Sequence, residues 1–170
     1  MSIPNQVDSF RFLDPTTSML VQNWIKLEKP REIPWTPLLK PLNECTVALI
    51  SSAGLALKTD QPFDQEGERR NPWWGDPTYR ILPCTATESD VKLYHLHMNP
   101  RIVEQDLNTI LPLQRLLELE RHGEIGRLAS QHYSFMGYNL EPSTLLEKST
   151  PAMIQHMQDE GVDIVILIPG

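Results

Sequence analysis

Val162-Asp163-Ile164-Val165-Ile166-Leu167-Ile168 is apolar and largely β-branched apart from one aspartate. It follows Gly161 and runs into the turn pair Pro169-Gly170. Such a run suits a central strand of a parallel sheet, buried on both faces. Upstream, Thr150-Pro151 reads as an N-cap and a first-turn proline, Met153, Ile154 and Met157 form an apolar stripe over a helix at 151–160, and Gly161 ends it. Helix, glycine and buried strand are half of a βαβ unit, so the fold class is α/β with an open parallel-sheet core. Ligand sites in such sheets form beyond the carboxyl ends of the strands. The core is expected to be incomplete at its C-terminus, with one face of the last strand lacking a covering helix and the chain marginally stable alone.

Working back from that strand, Cys45 to Ser51 (CTVALIS) is a second continuous apolar run and the other expected central strand. Pro112, then Leu113, Leu116, Leu117 and Glu120 at helical spacing, and Arg121-His122-Gly123 define a helix with a basic last turn and a glycine stop. Residues 17 to 28 carry Leu20, Val21, Trp24 and Leu27 on one face after a capping Asp14-Pro15-Thr16-Thr17. Pro30, Pro34, Pro37 and Pro41 then hold the chain extended. The chain thus divides into an N-terminal arm with a helix, 1–34, and a main domain, 35–170. Within the main domain Ser51 to Pro100 is long and irregular, with Trp73 and Trp74 read as staples holding the loop to the body. Val91 to Met98 alternates like a strand.

Composition excludes several roles. The chain of 170 residues carries 22 acidic against 15 basic side chains, a net charge of -7, and no basic cluster beyond Arg69-Arg70, so neither nucleic acid nor an anionic membrane surface is an expected partner. No signal-peptide pattern or bilayer-length apolar run is present, and a cytoplasmic location is expected. Cys45 and Cys84 lack C-x-x-C spacing and read as structural thiols.

Three groups could carry chemistry. Ser51-Ser52-Ala53-Gly54 follows a buried strand, and its hydroxyls and N–H groups could face a ligand carboxylate or phosphate, although with one glycine a plain strand-to-loop turn is the better reading of these four residues. His95-x-His97 on a strand would put two imidazoles on one face. With no further ligand at zinc-site spacing, no metal is expected, and orienting a substrate by hydrogen bonds is the preferred role. His132-Tyr133-Ser134 joins a base, a phenol and a hydroxyl, but no G-x-S-x-G surrounds Ser134 and adjacent strand residues point to opposite faces, so a serine hydrolase is not expected.

Longer blocks say more. Thr36 to Gly54, Lys58 with Gln61-Pro62-Phe63-Asp64, Gly75-Asp76-Pro77-Thr78-Tyr79-Arg80, His95-Leu96-His97, Asp106-Leu107-Asn108 with Leu111 to Leu116, and Gly123 to Gly126 with His132-Tyr133-Ser134-Phe135-Met136-Gly137 occur in that order. In order and spacing the chain resembles the selenoprotein B family of glycine, sarcosine, betaine and D-proline reductases, with Leu96 and Ala56 standing where that family commonly has an acidic residue and a histidine. The resemblance implies an oxidoreductase with a disulfide as acceptor, cleaving a C–N bond of a small amino acid or betaine-like substrate. It further implies a multisubunit assembly, a thioredoxin-like electron donor, and a selenolate or thiolate nucleophile, ionised near neutral pH. Ser51, Ser52, Gly54, His95, His97 and His132 are then the expected substrate-binding residues. No cofactor or catalytic residue is expected within the chain: the selenocysteine, or a cysteine in its place, is expected just after Gly170, the selenocysteine at an in-frame UGA read as a stop, and the chain alone is expected to be inactive. The alternative is a non-catalytic partner or remnant of the same fold, acting by protein–protein interaction.

Overall fold

β1 (Thr46–Ser51) is the axis of the sheet because both its faces are apolar. Val47 and Leu49 point into one core cluster, Ala48 and Ile50 into another. The computed structural model describes residues 9–27, 32, 34–71 and 74–170. Two compact units result, Met1–Pro37 and Leu38–Gly170. In the first, α1 (Pro15–Leu27) starts where the Asp14 carboxylate accepts the backbone N–H groups of Thr16 and Thr17, as the sequence leads one to expect. Pro30 of the proline-rich segment, and Trp73 of the expected tryptophan staple, lie outside the described residues.

In the second unit β1 is parallel to β5 (Arg127–Leu128) and β6 (Gln131–Phe135) along one edge and to β7 (Ile164–Ile168) along the other, while β3 (Tyr79–Pro83) lies antiparallel to β6. β2 (Leu55–Leu57) and β4 (Val91–Leu93) form a separate antiparallel pair. The sheet is open and mostly parallel. On one face Val47, Leu49 and Leu82 pack with Leu55 and Leu93 of the small sheet, Val103 of α3 (Pro100–Gln105) and Leu113 and Leu116 of α4 (Leu113–Arg121). On the other, Ala48 and Tyr133 pack under Met153 and Met157 of α5 (Thr150–Asp159). Gly123 and Gly161, at φ +71° and +70°, stop the two helices as their positions require.

Three expectations are corrected. β7 is an edge strand, not a central one: its only strand partner among the described residues is β1, and Leu167 is 71% exposed. Its lone Asp163 precedes the strand, accepting from the Thr46 N–H at 2.8 Å and pairing with Lys40 at 2.7 Å, a hydrogen bond that holds the carboxyl below its usual range. The Val91–Met98 strand stops at Leu93, because the Tyr94 N–H turns to the Gly54 carbonyl and Asn99 caps α3. Finally, Thr150 does not begin its helix. A π-helical stretch, Leu145–Ser149, runs straight into α5, and Pro151, with no N–H to give to the preceding turn, sits just past it.

Candidate functional site

β1, β6 and β7 run parallel, so their carboxyl ends share one rim, with Ser51 paired to Ser134 and to Ile168. Ser51 is fully buried and its hydroxyl accepts only from the nearby Ala53 N–H, at 3.3 Å. Ser134 ties the loop down, donating to the Ser51 carbonyl and accepting the Leu55 N–H. Ser52 is the hydroxyl this segment offers at the rim: half-buried, it accepts the Gly170 N–H at 2.9 Å, while its carbonyl accepts the Gly137 N–H. Gly54, at φ +65°, is required twice over, since a Cβ there would also sit 2.3 Å from the Met136 sulfur. Its N–H donates to the Phe135 carbonyl and its carbonyl accepts from Tyr94, which brings the histidine turn to the rim.

His95 and His97 lie in that turn rather than on a strand, and remain together. Their ring centroids are 5.7 Å apart, and the His97 N–H donates to His95 Nδ1. Burial, assisted by His97, pushes the His95 pKa down, so its ring is neutral at neutral pH. His97 packs edge-on to Tyr138 at 5.1 Å, and its Nε2 lies 3.7 Å from Glu68 Oε1, too far for a hydrogen bond but close enough for attraction between charges.

Glu68 is the residue the sequence concealed. It lies on α2 (Gln65–Arg70), is only 4% exposed, and neither carboxylate oxygen has a hydrogen-bond partner. Burial raises its pKa, against the opposing pull of His97 and Arg69. The Trp74 ring packs against Gly67, and Gly75 packs against the Tyr138 carbonyl and Asn139, whose amide oxygen and nitrogen are likewise buried without partners. Nothing in Gln65-Glu66-Gly67-Glu68-Arg69-Arg70 sets Glu68 apart from exposed Glu66. Tyr138-Asn139, by contrast, directly follow the His132–Gly137 block, so extending that block past the strand would have found them.

The Gly75–Arg80 block works at one remove. Buried Asp76 accepts the Asp64 N–H at 2.9 Å, and the Arg80 guanidinium donates to the Gln61 and Pro62 carbonyls while stacking 4.2 Å over Phe63. Asp64 in turn caps α2 through the Gly67 N–H, so this clamp fixes the helix that carries Glu68.

The remaining candidates lie elsewhere. His132 is fully buried inside the sheet, where Nδ1 accepts the Leu49 N–H at 3.0 Å. It fills a break in the ladder: between Val47↔Leu128 and Ile50↔Tyr133, β1 advances three residues and its partner five, a bulge whose side chain replaces a backbone acceptor. Cys45 opens β1 and donates to the Pro41 carbonyl, and Cys84 follows β3, so both are at the far end from the rim. Among the described residues no group of histidine, cysteine, aspartate and glutamate could hold a metal ion, and no helix is long and apolar enough to cross a membrane.

An open, mostly parallel sheet whose strand ends gather a hydroxyl, two imidazoles and a buried carboxyl defines an α/β protein with a polar strand-end site. The family described as glycine/sarcosine/betaine reductase selenoprotein B matches residues 21–169, and the chain belongs to it. The chain is 31% identical over 136 residues to the D-proline reductase subunit gamma of Acetoanaerobium sticklandii, covering 80% of this chain and 53% of that protein. It is 29% identical to the glycine reductase complex component B subunit gamma of Carboxydothermus hydrogenoformans, over 79% of this chain and 30% of the relative. With the betaine reductase complex component B subunit beta of Peptoclostridium acidaminophilum the identity is 26%, over 76% and 29% of the two chains. The chain therefore spans about half or less of the length of these relatives. No solved structure matches it.

Proposed function

We propose that this reductase-related chain forms part of the substrate-binding half of a thiol- or selenol-dependent reductase that cleaves a C–N bond of a small amino acid or betaine. The nucleophile, a selenocysteine or cysteine beyond Gly170 in the same polypeptide, enters at the rim of β1, β6 and β7. Other reductase subunits and a thioredoxin-like dithiol complete the cycle. The observation that carries the reading is the gathering of Ser52, Gly54, His95 and His97 at the strand ends, where Gly170 also packs. Ser52 and the neutral His95 supply hydrogen bonds that orient the substrate, while Ser51 and His132 hold the strands that position them.

The test is substrate-dependent oxidation of a dithiol by the full reading frame assembled with its neighbouring reductase subunits, using glycine, sarcosine, betaine and D-proline. Turnover that falls at least about tenfold in His95→Ala and His97→Ala carries the reading. An assembly inactive on all four, or indifferent to both substitutions, sinks it.

A further inference from the structure

The Glu68 carboxyl is the least satisfied polar group at this rim, and its surroundings say what it lacks. Burying a carboxylate without hydrogen bonds is costly, and a chain can avoid the cost by using glutamine or an apolar residue. The charged groups facing it are few. Arg69, on the same helix, is engaged with exposed Glu66 at 2.6 Å, and His97, whose side chain is 63% exposed, approaches only to 3.7 Å and carries charge only when protonated. Both oxygens are buried without a hydrogen-bond partner, as is the amide of Asn139, which follows directly on Tyr138, whose aromatic ring packs on His97. An acidic acceptor, a neutral dipole and an aromatic face are the features that receive a cationic nitrogen.

We propose that Glu68 is the receptor for the cationic nitrogen of the ligand, a protonated amine or a quaternary ammonium, and so a specificity-determining residue of the rim. The assignment rests on the reductase reading for the identity of that ligand, but not for the charge of the group bound. His97, mostly exposed itself, comes within 3.7 Å of the buried carboxylate. When protonated it competes with the ligand for Glu68; when neutral it leaves the carboxylate to the ligand. Occupancy by a cation also explains how the site tolerates an ionised carboxylate that burial otherwise drives toward its neutral form.

The experiment compares ligands of equal shape that differ in one atom. Betaine and glycine are titrated against the purified protein by calorimetry beside 3,3-dimethylbutyrate and propionate, in which carbon replaces the charged nitrogen and the carboxylate is kept. At least one nitrogen ligand should bind about tenfold or more tightly than its carbon isostere, Glu68→Gln should abolish that preference, and Glu68→Asp should restore part of it. Equal affinity within both pairs, a preference that survives in Glu68→Gln, or no binding of any probe at about 50 mM, far above a millimolar Kd, overturns the proposal. Should Glu68→Gln fail to fold, the wild-type profile decides. Selectivity for nitrogen, with each affinity referred to the ionised carboxylate form of the probe, must rise with pH as Glu68 ionises above the ordinary carboxylate range, and selectivity so corrected that is flat from about pH 4 to about pH 8 refutes the assignment. None of this requires turnover: nitrogen selectivity without reductase activity leaves this inference standing while the proposed function fails, and the reverse result does the opposite.

Discussion

His132 accepts the Leu49 amide through Nδ1 inside a closed core, so its ring must stay neutral there, and burial pushes its pKa down from 6.5 to about 4. The unfolded chain binds the proton at ordinary histidine pH and the folded chain does not, so stability is full above about pH 6.5 and falls as pH drops toward about 4. The gap of some 2.5 pH units corresponds to roughly 3 kcal/mol across that window. Asparagine, whose side-chain oxygen can take the place of Nδ1, should flatten that profile in urea unfolding. Leucine should flatten it too, and lower stability at neutral pH by about 1–3 kcal/mol because the Leu49 N–H is left unpaired. A wild-type profile flat between those pH values contradicts this account. The sequence presented His132, His95 and His97 alike as polar residues near strand ends. Only the bulge in the ladder separates the core acceptor from the two at the rim. Glu68 was illegible for a related reason: its burial follows from the Asp76–Arg80 clamp on a distant loop, not from its neighbours on α2.

At the scale of elements, the sequence read best where local signals and packing agree. α4 and α5 carry apolar stripes and left-handed glycines at their ends, and β1 is apolar on both faces because cores lie on both. β7 shows where such reading stops. Its apolar continuity encodes a demand for cover, yet Val165, Ile166 and Leu167 remain exposed beside a strand edge that is unpaired among the described residues. An apolar edge of that kind templates association with other chains. The purified protein should therefore self-associate with rising concentration in sedimentation experiments, and Leu167→Lys should reduce this while shifting stability by no more than about 0.5 kcal/mol. A wild-type protein that stays monomeric at concentrations of tens of micromolar and above, or an unchanged association in the variant, refutes this role for the edge. The short α2 and the turn at His95–His97 escaped pattern reading because a six-residue helix with a central glycine and a Pro-flanked turn have no period to detect.

Across the whole molecule the two ends of the sheet divide the chemistry. The rim holds Ser52, His95, His97, Glu68 and Gly170, whereas Cys45 stands at the start of β1, roughly 20 Å away at about 3.3 Å per residue. Cys84 is also remote: β3 runs antiparallel to β6 with Tyr79 opposite Phe135, so the chain reaches Cys84 at the Ser130 end, where its N–H bonds the Ser130 carbonyl. Covalent chemistry needs reacting atoms within about 3–3.5 Å, so neither thiol can attack a substrate held at the rim. Cys45 Sγ donates to the Pro41 carbonyl at 3.2 Å, a bond that a serine hydroxyl can preserve, and Cys84 is only partly buried. The combined Cys45→Ser, Cys84→Ser variant should therefore fold and, once assembled with the partner subunits, oxidise a dithiol within about threefold of the wild-type rate. A loss of tenfold or more in a variant whose thermal unfolding is unchanged would move the redox centre to one of these thiols and detach the strand-end rim from the reaction.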